Sequence, residues 1–139
     1  MTRRHDFAER LLATLGECRD RPFAWGRNDC ALLACDLVVA ATGVDYAAPF
    51  RGRYRTAAGA ARVLRCFAGG GLEAAAEKIS QDNGLEEVPA LMAQRGDFVL
   101  VDETEGPALG VCLGSHIIAA GPAGTVLRPL AAARRAWRT

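Results

Sequence analysis

Gly26-Arg27-Asn28-Asp29-Cys30 opens directly onto Ala31-Leu32-Leu33-Ala34-Cys35-Asp36-Leu37-Val38-Val39-Ala40-Ala41, the most apolar run of the 139-residue chain. Asn28 and Asp29 are helix N-cap residue types, because a short side-chain oxygen accepts backbone N–H groups that a first helical turn leaves unpaired. The reading starts a helix at Cys30 and carries it to Ala41, apolar on nearly every side with Asp36 its one charge, and Gly43 supplies the stop. A helix apolar all round is a central one. Its first turn holds a thiol, where the positive end of the helix dipole lowers a thiol pKa and the glycine ahead permits close approach. That is how a protein presents a cysteine nucleophile.

Upstream, Phe7, Leu11, Leu12 and Leu15 recur at helical spacing, giving a short amphipathic helix that Gly16 ends. Pro22-Phe23-Ala24-Trp25 reads as extended, its aromatic pair covering the start of the central helix. Downstream, residues 45–55 form a loop of proline, glycine, aromatic and arginine residues. Arg51, Arg53 and Tyr54 are its candidate binding residues for an anion, a glycan or a partner protein; the plain alternative is a solvated basic loop. Thr56 caps a helix over 57–67, three glycines at 69–71 break it, and a further helix over 72–79 stops near Asn83-Gly84. After Pro89 the period becomes two: strands are expected over 98–101, 109–113, 117–120 and 125–130. Gly114-Ser115 and Gly121-Pro122-Ala123-Gly124 are hairpin turns, so the last three strands form an antiparallel meander. Helices first and sheet second make one α+β domain over 1–139.

Seventeen Lys and Arg against sixteen Asp and Glu leave a formal charge of +1, so no strong field favours nucleic acid or an anionic membrane. Cys18, Cys30, Cys35, Cys66 and Cys112 show no paired short spacings, which excludes a CxxC zinc site and a disulfide framework and leaves small, reduced, buried hydrophobes. Arg3, Arg4, Asp6, Glu9 and Arg10 interrupt what would be the apolar core of a signal peptide, and no stretch approaches the roughly 20 apolar residues of a membrane span. Gly69 to Gly71 lacks the preceding strand and following Lys-Ser/Thr of a phosphate loop. Asp97, Asp102, Glu103 and Glu105 read as solvated turn acids rather than metal ligands. Arg95-Gly96-Asp97 spells an integrin-binding tripeptide, yet it runs straight into a buried strand. No metal or cofactor is expected.

A cysteine at the start of a central helix packed on an antiparallel sheet is the architecture of papain-like cysteine peptidases. Gly26-Arg27-Asn28-Asp29-Cys30, Arg95-Gly96-Asp97-Phe98-Val99 and Leu109-Gly110-Val111-Cys112-Leu113-Gly114 together resemble the NlpC-type endopeptidases, the cell-wall cysteine hydrolases. More closely, the chain is similar to small phage and prophage proteins of that superfamily encoded among tail genes. The resemblance spans about residues 23–137 and implies a papain-like, NlpC-type fold. In active members the Asp-Cys pair supplies the nucleophile, a role that falls on Cys30. Their general base is a histidine opening a strand that reads His-Val-Gly-Ile-Tyr-Leu-Gly. The matching residues here are Ala108-Leu109-Gly110-Val111-Cys112-Leu113-Gly114, which puts Ala108 at the histidine position.

The two histidines are His5, on the terminal segment, and His116, beyond the Gly114-Ser115 turn. The run from 108 to 114 carries the chain roughly 20 Å from the end facing Cys30 at ~3.4 Å per residue, whereas proton transfer needs about 3 Å. The resemblance therefore implies a catalytically inactive tail-tip or tail-assembly component. It would be made in a bacterial host's cytoplasm and carried in the virion tail, with other tail or baseplate proteins as partners through 45–55 or through 131–139, where Arg134, Arg135, Trp137 and Arg138 lie. Two alternatives stay open: a peptidoglycan-cleaving cysteine endopeptidase or amidase using Cys30 with an unrecognised base, and a non-catalytic module that grips peptidoglycan in the old substrate cleft.

Overall fold

Four helices precede a six-stranded antiparallel sheet in the computed structural model, which describes residues 5–122 and 124–139. Arg3, Arg4 and Ala123 lie outside the described residues. The helices are α1 (Phe7–Cys18), α2 (Leu32–Thr42), α3 (Ala57–Ala68) and α4 (Leu72–Asn83); the strands are β1 (Glu87–Val88), β2 (Phe98–Glu103), β3 (Gly106–Cys112), β4 (His116–Gly121), β5 (Gly124–Pro129) and β6 (Ala133–Trp137). α2 is the buried centre, packed between α1 and the sheet, with Leu32, Leu33, Leu37 and Val38 all fully enclosed. It ends as its sequence requires: Gly43 takes a left-handed φ of 82°, and its N–H donates to the Val39 carbonyl at 2.7 Å. Thr56 caps α3 by accepting the Gly59 N–H at 3.0 Å.

β2 to β5 form a meander, and the sheet order is β1-β6-β2-β3-β4-β5. β5 and β6 are therefore four strand spacings apart, about 19 Å if the sheet were flat. Residues 130–132 alone join them, and a linker of that length reaches at most about 14 Å. The sheet must curl. Its strands accordingly bury both faces: Phe98, Leu100, Leu109, Val111 and Trp137 pack on the helices, while Val99, Val101, Ala108, Cys112, Ile117, Ala119 and Ala136 form a second core. Arg128 on β5 reaches Glu103 on β2 in a two-pronged ion pair, 2.7 and 3.1 Å, although two strands lie between them in the sheet. Gly110 allows the tight β3–β4 approach, since a Cβ there would stand 2.6 Å from the Ile118 carbonyl oxygen.

Four expectations are corrected. α1 runs through Gly16 to Cys18, because an isolated helical glycine costs only about 1 kcal/mol and Leu11 and Cys18 at either side are buried. α4 continues past residue 79 to Asn83 before Gly84 stops it. Residues 133–137 of the C-terminal segment are no free arm: β6 lies between β1 and β2, with Trp137 only 2 % exposed in the core. Arg134 is held by Glu73 and Asp102, and Arg135 by Glu73, Glu77 and Glu87, while its guanidinium lies 5.0 Å from the Trp137 ring centre. Asp97 of the Arg-Gly-Asp tripeptide is wholly buried and accepts the Gln94 N–H at 2.8 Å, so the tripeptide is a structural turn.

One carboxylate ties these pieces together. Asp29 is fully buried; its Oδ1 accepts the N–H groups of Ala31 and Leu32, both at 3.0 Å, and its Oδ2 accepts the Gly26 N–H at 2.9 Å and the Tyr54 hydroxyl at 2.7 Å. Asn at this position keeps one acceptor and turns a donor on two donors. Asp29→Asn is expected to lower stability by about 2–4 kcal/mol and Tyr54→Phe by about 1–2 kcal/mol, read from urea midpoints. Equal stability of Asp29→Asn and the parent would refute this role.

Candidate functional site

Cys30 is half-buried in the turn just ahead of α2, on the wall of a cleft of about 510 Å³. Phe23 and Trp25 flank it, stacked edge to face with ring centres 5.0 Å apart, and the sheet contributes Pro107, Ala108 and Ala120. The Leu109 N–H donates to the Cys30 carbonyl at 2.8 Å, which stitches the helix start to β3 beside Ala108. The lining is chiefly apolar, with Glu103 and Glu105 its carboxylates. Glu103 is already engaged by Arg128, and Glu105 is exposed.

The thiol's electrostatics reverse the expectation of an acidified cysteine. Burial first, and the neighbouring Asp29 carboxylate second, push Cys30 up to about 12, against a smaller opposing pull from its own backbone N–H. The reason lies in the cap. Asp29 consumes the N–H groups of Ala31 and Leu32, whose partial positive charge would otherwise stabilise a thiolate, and adds a negative charge of its own. Only a nearby cation would offset this, and the sheet offers the Ala108 methyl group.

Among the described residues neither histidine lines the cleft. His116 opens β4, exposed, its Nδ1 2.9 Å from the Ser115 hydroxyl. The adjoining rung pairs Ile117 with Cys112, four residues along β3 from Ala108, a separation of about 14 Å. His5 is exposed in the turn before α1. No three His, Cys, Asp or Glu side chains among the described residues come together as metal ligands, and no helix there is long and apolar enough to cross a membrane.

The three candidate binding residues of 45–55 separate. Tyr54 is buried, its hydroxyl donating to Asp29. Arg51 bridges Asp36 at 2.8 Å and Asp45 at 2.9 Å; its hydrogen bond holds the Asp45 carboxyl below the ordinary range, while burial raises Asp36. Arg53 is exposed. Sequence reasoning did not find Pro107, Glu105 and Ala57 in the cleft wall; their one signal was adjacency to the ends of β2, β3 and the 45–55 loop.

A family model described as "Domain of unknown function (DUF6950)" matches residues 2–139, and the chain belongs to that family. No curated protein matches the chain.

Cys30, Cys35 and Tyr54 crowd around the Asp29 carboxylate, and burial raises the pKa of each. For groups whose folded pKa exceeds the unfolded one, the unfolded chain holds fewer protons above the unfolded pKa, so folding stability is intact below it and falls as pH rises. Stability is therefore expected to be level up to about pH 8.5 and then to drop, by at most about 1.4 kcal/mol per pH unit for each group. Urea midpoints between neutral and alkaline pH measure this, and Cys30→Ala should shallow the slope. A stability that rises with alkaline pH contradicts it.

Proposed function

We propose that this member of the family keeps a papain-like, NlpC-type scaffold without its chemistry and works as a non-hydrolytic structural or assembly component of a phage or prophage tail. The observation that carries the loss of chemistry is Ala108 beside Cys30, at the position where the resemblance calls for an imidazole. Loss of a positioned general base costs about 10²–10⁴ in rate. A thiol pushed up to about 12 by burial and by Asp29 is ionised far less at pH 7 than the few per cent of an ordinary cysteine. Among the described residues no imidazole lines the cleft to protonate a leaving amine either. The cleft itself persists, apolar and open, which suits retention of a bound segment rather than its cleavage. The tail setting is supported by the resemblance to phage and prophage tail-gene products.

The purified protein is expected to release no new termini from peptidoglycan fragments, and Cys30→Ala is expected to enter tail particles as fully as the parent. Hydrolysis abolished by Cys30→Ala would overturn the non-hydrolytic reading in favour of an endopeptidase or amidase. Absence of the protein from purified particles, with tail assembly unaffected by its deletion, would overturn the structural role.

A further inference from the structure

Between Tyr46 and Leu72 the chain holds five arginines and not one Asp or Glu. Arg51 turns inward to Asp36 and Asp45; Arg53, Arg55, Arg62 and Arg65 are exposed, and among the described residues none of their side chains meets a carboxylate or another hydrogen-bond partner. Arg27 joins them. A Cβ on Gly26 would stand 2.2 Å from the Tyr54 carbonyl oxygen and 3.5 Å from Arg55 Cα, so the Gly26-Arg27 turn is packed against residues 54–55. Elsewhere Arg10, Arg21, Arg128, Arg134, Arg135 and Arg138 each meet a carboxylate. Arg62 and Arg65 repel each other at helical i, i+3 spacing. A free protein gains nothing from that concentration of charge.

We infer that this face, formed by Arg27, Arg53, Arg55, Arg62 and Arg65, binds an acidic segment of a protein partner. Guanidinium forks match carboxylates two-pronged, and the set contains no lysine. The exposed side chains between Arg55 and Arg62 are Thr56, Ala57, Ala58 and Ala61, small enough for a partner backbone to come close. Tyr46, Phe50 and Tyr54 are buried, so residues 45–55 present no aromatic platform on which nucleic-acid bases stack. With no exposed large apolar side chain in the set, nothing anchors it in a bilayer. The inference does not depend on the fate of Cys30, since hydrolysis by the cleft would leave this face unchanged.

Fluorescence anisotropy with the full chain and labelled polyglutamate tests it, with a single-stranded oligonucleotide and phosphatidylglycerol vesicles as separate arms. Polyglutamate is expected to bind, more weakly as salt rises. Arg55→Glu with Arg62→Glu should weaken binding about tenfold or more, Arg55→Gln with Arg62→Gln by less, and Arg19→Glu not at all. Melting temperatures of the Gln and Glu pairs should not fall below the parent's, because like-charge repulsion is relieved. Failure of polyglutamate to bind, equal binding by the parent and both double variants, or tighter binding of the oligonucleotide or vesicles would overturn the inference.

Discussion

The Asp29 carboxylate is the constraint on which the rest of this structure depends. Its two oxygens accept four donors from three parts of the chain: the first turn of α2, the Gly26 turn and the Tyr54 hydroxyl of the 45–55 loop. A fully buried carboxylate survives only with such complete satisfaction. The same arrangement decides the chemistry next door. Capping the helix uses up the N–H groups that would acidify Cys30, and the capping charge itself disfavours a thiolate. A cap of this kind and a nucleophile of this kind coexist only when a cation on the sheet restores the balance.

The cleft beside Cys30 is built by the sheet and its contact with the start of α2. Its curl follows from joining β5 to β6 with three residues, and the close β3–β4 approach follows from Gly110. The Leu109-to-Cys30 hydrogen bond then fixes the helix start against β3. None of these depends on the side chain at 108. Ala108 is buried in the second core with Val99, Val101, Ile117 and Ala119, and Cys30 packs against that cluster. The forces that build the pocket are thus backbone and core forces, independent of the side chain at 108.

Much of this was legible in the sequence where local chemistry acts alone. The apolar run after Asp29, the stops at Gly43 and Gly84, the Thr56 cap and the apolar strand 98–101 all have local causes and stand where they were expected. β6 was hidden because Ala133-Arg134-Arg135-Ala136-Trp137 reads as polar and alanine-rich; its two arginines are tolerated only because Glu73, Glu77, Glu87 and Asp102 meet them from distant elements. Tyr54 read as a surface recognition residue because its partner is 25 residues away. The acidified thiol failed for a related reason, since the cost of burial and of Asp29's charge appears only once the fold is assembled.

The most direct measurement of the central claim is the titration of Cys30 itself, followed by the 13Cβ chemical shift of selectively labelled protein. An unpartnered thiol in this setting predicts no titration midpoint below about pH 10, unchanged on mutation of either histidine. A midpoint near or below about pH 7, moved upward by His116→Ala or His5→Ala, would reveal a thiolate–imidazolium pair and contradict the account.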